Sequence, residues 1–244
     1  ALRTPGQAAL GWGDMTMTRD FAGPGDRAGA PGPSVPGPGR RPSPRLLAIC
    51  AGPATRLRGV VDGRPVDVLS GIVKRPASTL EDPVGIEFGR LGVAGDEQAD
   101  LTVHGGLEKA VYVYPVEHYA QWRERAARAG VAFEGRPGSF GENLLVEGLL
   151  ESDVWTGDRL EIGELVLCVT MPRRPCYKLD LHLYPGAGRE MVLGRQPGWY
   201  CSVVRPGKAA AGQAIRQQAG SRPYTIAETH RRQYRLPPIA TEVE

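Results

Sequence analysis

Residues 171–176 read Met-Pro-Arg-Arg-Pro-Cys, which sets one thiol, that of Cys176, directly behind the cationic side chains of Arg173 and Arg174. The thiolate, not the thiol, is the nucleophile and the metal ligand, and neighbouring cations favour it. Pro175 fixes its own φ and has no N–H to donate, so the turn holding the sulfur is stiff. Upstream, Glu164-Leu-Val-Leu-Cys-Val-Thr170 reads as a strand. A strand ending in a rigid basic turn suits a metal or a nucleophile. The competing reading packs Cys176 inside as a small hydrophobe.

A second unusual stretch, Gly95-Asp-Glu-Gln-Ala-Asp-Leu-Thr-Val-His-Gly-Gly-Leu-Glu-Lys-Ala110, spaces Asp96, Gln98, Asp100, His104 and Lys109 along a glycine-rich chain. Gly105-Gly106 lets the backbone approach a ligand closely, and its N–H groups suit an anion. A polar turn, with Asp and Gly serving turn geometry, explains the same residues. The four histidines, His104, His118, His182 and His230, show no H-x-x-x-H or H-E-x-x-H spacing, which disfavours a zinc hydrolase. His118 falls on an expected helix and reads as structural or surface. A Cys176–His104 nucleophile pair is neither supported nor excluded by sequence distance. G-x-S-x-G, Walker A and Rossmann patterns are absent.

These groups need a scaffold, and the elements are mostly strands. Leu46–Cys50, Val66–Val73, Val84–Phe88 and Ala110–Tyr114 read as β, as do Asn143–Val146, Asp158–Ile162, Leu165–Thr170 and Tyr200–Val204. Between them lies one convincing helix. Pro115 suits its first turn, Val116, Tyr119, Trp122 and Ala126 form one apolar face, and Gly130 stops it. Two short helices fit between Cys176 and Gly194. Many short strands with few helices predict a mixed, β-rich α+β fold, with edges managed by closure into a barrel.

Residues 1–44 stand apart. Phe21–Arg40 is almost wholly Pro, Gly and small residues, too poor in apolar surface to offset its ordering entropy, and is read as a disordered leader. The remainder, 45–220, is long enough for one sizeable domain. The 244-residue chain has a net charge of +3, far from the basic stripe of a nucleic-acid binder. The four cysteines lack any C-x-x-C pair, which points to a reducing cytoplasm rather than a disulfide framework. No apolar run approaches the roughly 18 residues of a membrane span.

Taken together, these segments resemble the MOSC-domain (molybdenum cofactor sulfurase C-terminal) family, and within it the YiiM-like branch. The resemblance runs through Ser70-Gly-Ile-Val-Lys-Arg-Pro76, Gly-Asp-Glu-Gln-Ala-Asp (95–100), His-Gly-Gly-x-x-Lys-Ala-Val (104–111) and Tyr-Pro-x-Glu-His-Tyr (114–119). It continues through Phe-Gly-Glu-Asn-Leu (140–144), Gly-Asp-Arg-Leu (157–160), Pro-Arg-x-Pro-Cys (172–176), Gly-Trp-Tyr (198–200) and a final strand near Ala211–Ile215. It implies a closed β-barrel domain holding the molybdenum cofactor (molybdopterin), with Cys176 as sulfur ligand to the metal. Soft thiolate suits such a centre. The cofactor's phosphate makes Lys74, Lys109, Arg173 and Arg174 the expected neutralising cations. His104 and the Gly105-Gly106 backbone are candidates to hydrogen-bond pterin or substrate, and Asp96 and Asn143 to act at the site or orient its neighbours.

The implied activity is reduction of N-hydroxylated compounds, such as hydroxylaminopurines, to amines, with electrons from an unidentified donor protein. Cys176, His104 and Asp96 are the catalytic candidates. The alternative is a cofactor or sulfur carrier with Cys176 as the cofactor or persulfide site. A third reading is a binding module with Cys176 buried. One departure is expected at 221–244: Ser221–Tyr234 resembles only the start of a small C-terminal helical domain, with Thr225 as N-cap, and Leu236-Pro-Pro238 stops the helix.

Overall fold

The structure, a computed structural model, describes residues 43–99 and 105–238. Thirteen strands form among these residues. Leading the chain are β1 (Arg45–Ala51), β2 (Thr55–Val61), β3 (Arg64–Ser70), β4 (Arg75–Thr79), β5 (Ile86–Gly89) and β6 (Gly92–Val93). After a short 3-10 turn come β7 (Val111–Pro115), a second 3-10 turn over Val116–His118, and helix α1 (Tyr119–Arg128). Then follow β8 (Leu144–Glu147), β9 (Arg159–Ile162), β10 (Leu165–Pro172), α2 (Tyr177–His182) and α3 (Ala187–Leu193). The chain closes with β11 (Trp199–Arg205), β12 (Gly207–Ala209), β13 (Arg216–Gln218) and α4 (Ile226–Gln233).

Eight strands make one sheet in the order β13-β9-β10-β11-β7-β8-β1-β4. Its pairs are antiparallel except β7 with β8. Side chains alternate across a strand, and here the alternation feeds two cores. Val111, Val113, Leu144, Val146, Leu46 and Ile49 join Leu160, Leu165, Leu167 and Trp199 on one face. Tyr112, Tyr114, Leu145, Ala48 and Cys50 face Trp122 of α1, Leu179 of α2 and Met191 of α3 on the other. With both faces covered, β7 is buried at every position. That explains why it reads as a continuous apolar run.

The sheet curls. Leu46 N–H donates to Gln213 O (2.9 Å), Gly212 N–H to Leu46 O (2.7 Å) and Ile215 N–H to Pro44 O (2.9 Å), so the start of β1 meets the chain leading into β13. This contact is a single bridge, Arg45 with Ala214. Among the described residues no ladder joins the end strands β4 and β13. The fold is therefore a strand-rich α+β with a curled half-barrel, where a closed barrel was expected. The shortness of β13 explains the difference: the stretch 211–215, expected as the final strand, turns instead, and only three residues after it pair with β9.

The β2–β3 hairpin, unexpected over its first strand, forms a separate two-stranded sheet. Such a pair is marginal alone. It rests on α2, where a Cβ on Gly59 would lie 2.5 Å from Leu181 Cδ2, and Lys178 Nζ donates to Leu69 O at 2.9 Å.

Thr225 caps α4 as expected, its hydroxyl accepting from Glu228 N–H at 3.0 Å, and α4 ends before Leu236. Ile226 enters the same core cluster as the sheet. Arg222 grips the fully buried Asp158 carboxylate at 2.7 and 3.1 Å. Among the described residues no helix is long and apolar enough to cross a membrane.

Candidate functional site

The basic turn begins where β10 ends. Cys176 has extended backbone dihedrals (φ −131°, ψ 173°) at the N-cap of α2, and its carbonyl accepts from Leu179 N–H at 2.9 Å. Its side chain is half-buried. The two arginines before it diverge. Arg174 is exposed, whereas Arg173 is buried, with Nη1 donating to Phe140 O at 2.5 Å and the guanidinium 4.7 Å over the Tyr112 ring.

Cys176 opens onto a cleft with about 700 Å³ of atom-free space, part of it open to solvent. Five chain segments wall it: 70–74 after β3, 96–99, 109–112 entering β7, 140–143 entering β8, and the turn 173–178; Tyr200 of β11 completes it. The structure thus brings together Cys176, Asp96, Lys74, Lys109, Asn143, Arg173 and Arg174, all named from the sequence.

Their roles differ from one another. Asp96 accepts from the Lys74 ammonium, from Gly52 N–H at 3.1 Å and from Asn143 Nδ2 at 2.9 Å. Asn143 Oδ1 in turn accepts from Tyr112 N–H at 3.0 Å, and its Nδ2 reaches Cys50 O at 3.2 Å. These bonds lock the loop bearing Asp96 to the roots of β7 and β8. Burial pulls the Lys74 pKa below its ordinary value, against the opposing pull of Asp96. Asp96 and Asn143 therefore build the wall.

The glycine cradle needs correcting. Gly105 and Gly106 do not line this cleft, and Gly106 N–H donates to Gln98 Oε1 at 2.8 Å. Gln98, whose Nε2 also reaches Leu91 O at 3.0 Å, takes the amide intended for an anion. His104 and Asp100 lie outside the described residues. His118 is buried with Nε2 2.8 Å from Glu151 Oε2, the structural role expected for it.

Among the lining residues that the sequence did not single out are Tyr112, Phe140, Lys178 and Tyr200. Lys178, two residues beyond Cys176, is the one that spacing alone offered. Sequence reasoning also undervalued Glu142. This carboxylate is fully buried and accepts from Tyr119 Oη (2.5 Å), Gly138 N–H (2.7 Å) and Phe140 N–H (2.9 Å). Burial raises its pKa, while those donors oppose the rise. The loop it ties down passes so close to Ile72 that a Cβ on Gly141, at φ +75°, would lie 2.9 Å from Ile72 Cγ1.

The donor set tests which group fits. Among the described residues no three His, Cys, Asp or Glu side chains converge as a metal cage. A metal at Cys176 would take its other ligands from the cofactor it arrives with. Five cationic side chains face two carboxylates around the cleft, Lys74, Lys109, Arg173, Arg174 and Lys178 against Asp96 and Glu97, which suits an anionic ligand.

Comparison with known proteins places this arrangement in a class. The MOSC domain model matches residues 100–216. Protein YiiM of Escherichia coli is 38% identical over 155 residues, 60% of this chain and 68% of that protein. The chain belongs to the MOSC-domain family. An uncharacterized Bacillus subtilis protein, YflK, is 40% identical over 158 residues, 62% of this chain and 63% of YflK. A protein named reductase from Gibberella moniliformis is 34% identical over 126 residues, 51% of this chain but only 22% of its own length. The crystal structure of YiiM from Geobacillus stearothermophilus superposes with a TM-score of 0.58 at 28% identity, covering 78% of this chain and 84% of that one.

Proposed function

We propose that this protein is a molybdenum-cofactor oxidoreductase that reduces N-hydroxylated compounds, hydroxylaminopurines among them, to amines. One observation supports it most: a half-buried cysteine opening onto a cleft with an excess of cationic side chains. The family relationship and the reductase name of one relative favour the same class.

Held at Cys176, the molybdenum cofactor would supply the two-electron redox chemistry that the reduction needs. The chain's own residues orient and compensate charge. Cys176 offers soft sulfur from a stiff turn. Arg174 and Lys178 at the rim, with Lys109, draw in and neutralise the cofactor phosphate. Lys74, already paired with Asp96, adds less net charge. Tyr200, half-buried, gives the cleft an aromatic wall against which a planar base can lie. Electrons come from a separate donor protein, and the four free cysteines suit a reducing cytoplasm.

Elemental analysis of protein made in a host competent for cofactor synthesis tests the reading. Stoichiometric molybdenum, turnover of a hydroxylamine, and loss of both in Cys176→Ala support it. Full retention of both in Cys176→Ala would overturn it. Labile sulfur on Cys176 without turnover would point instead to a sulfur carrier.

A further inference from the structure

Arg173 and the turn it begins are held in place from a distance. Its guanidinium is bonded to the carbonyl of Phe140, 33 residues away in sequence. That carbonyl belongs to the loop 138–141, which lacks regular secondary structure. The loop owes its shape to one carboxylate. Glu142 collects the N–H groups of Gly138 and Phe140 and the hydroxyl of Tyr119, the first residue of α1. A buried carboxylate with three donors is a costly group to retain unless those bonds are kept. The loop cannot relax sideways, because Gly138 and Gly141 sit against the backbone of Lys74 and Ile72.

From this chain of contacts we infer that Glu142 is a positioning residue for the cysteine site. Through the Phe140 carbonyl it holds the Arg173 guanidinium at its station over Tyr112, in the wall of the cleft that Cys176 also lines. Arg173 in consequence acts as a fixed local charge, distinct from the exposed Arg174. The functional meaning of that charge rests on the proposed role of Cys176. The geometry that sets it does not.

The test uses the full chain purified without cofactor and compares alkylation of Cys176 by iodoacetate and by iodoacetamide, read at that residue by mass spectrometry. General loosening raises both rates, whereas the ratio of anionic to neutral reagent reports local positive potential. Glu142→Gln puts an amide N–H where a backbone N–H now donates. It is expected to lower the ratio about threefold, as Arg173→Met does, since a nearby charge changes anion encounter by this order. Because the effect runs through Arg173, the double variant falls no further than either single one. An unchanged ratio in Glu142→Gln beside a lowered one in Arg173→Met would overturn the inference, and so would an additive fall in the double variant. Should Glu142→Gln fail to fold, Tyr119→Phe removes one of the three donors. It is expected to give a smaller fall that vanishes in the Arg173→Met background, and persistence there would overturn the inference equally. No step depends on molybdenum, so failure of the proposed function leaves this result readable.

Discussion

Lys74 and Asp96 form an ion pair in which the two side chains are only 6% and 7% exposed. The pair lies in the wall of the cleft. Asp96 has further donors in Gly52 N–H and Asn143 Nδ2, so its carboxylate is committed to holding the loop 96–99 against the sheet. Asp96, a catalytic candidate by sequence, is thus held as a strut.

Breaking that pair should be costly. Asp96→Asn leaves a buried ammonium without its counter-charge, and a loss of about 3 kcal/mol in unfolding free energy is expected in urea titration. Adding Lys74→Met to Asp96→Asn should recover part of that loss, because the stranded charge is gone. A double variant as unstable as the sum of the single ones would show that the two side chains do not act as a pair.

Cofactor retention should depend on the rim cations. Arg174→Gln and Lys178→Gln are each expected to weaken molybdenum retention about fivefold at low ionic strength, with the difference shrinking as salt screens the cleft. Arg174 is exposed, and its replacement should change unfolding free energy by less than about 0.5 kcal/mol. Metal content after dialysis across a salt series gives the comparison. Retention independent of both charge and salt would remove the rim from the phosphate site.

Stability should fall on mild acidification. Burial lowers the pKa of His230, whose Nε2 lies 3.1 Å from Val192 O while Nδ1 has no partner. His182 is lowered by burial too. For a histidine with a depressed folded-state pKa, the unfolded chain takes up the proton first. Stability is therefore complete above the ordinary value of 6.5 and is lost as pH drops below it. Urea midpoints at pH 7.5 and 5.5 should differ more for the parent protein than for His230→Gln. Equal slopes would assign the loss to other groups.

The segment beyond residue 220 should behave as part of the core. Ile226→Ala is expected to cost about 3 kcal/mol, since the side chain is fully buried among sheet residues. Thr225→Ala removes the cap on Glu228 N–H and should cost about 1 kcal/mol. Chemical denaturation of both variants measures this, and losses below a few tenths of a kcal/mol would mean that α4 is only loosely docked.

Much of the scaffold was legible. The apolar runs at 46–50, 110–114, 165–170 and 200–204 are strands because β-branched and aromatic side chains fill both faces of a doubly covered sheet. Tyr119, Trp122 and Ala126 are buried on one face of α1, as their spacing required. The hairpin strand β2 and the edge strand β4 were not legible. Arg56, Arg58, Arg75 and Pro76 lie on exposed or partly exposed strands whose pairing, rather than burial, keeps them extended.

By itself, the sequence determined that Cys176 sits in a stiff basic turn after a strand, that Thr225 begins a helix, and that no histidine spacing builds a zinc site. Only the tertiary structure decided which charges serve the cleft. It turned Arg173 inward onto Phe140, gave Gly106 N–H to Gln98, and tied Asp96 to Asn143 across 47 residues of chain. Such choices depend on which buried donor finds an acceptor within about 3 Å. Local spacing cannot encode that pairing between distant segments, because only folding brings them to one place.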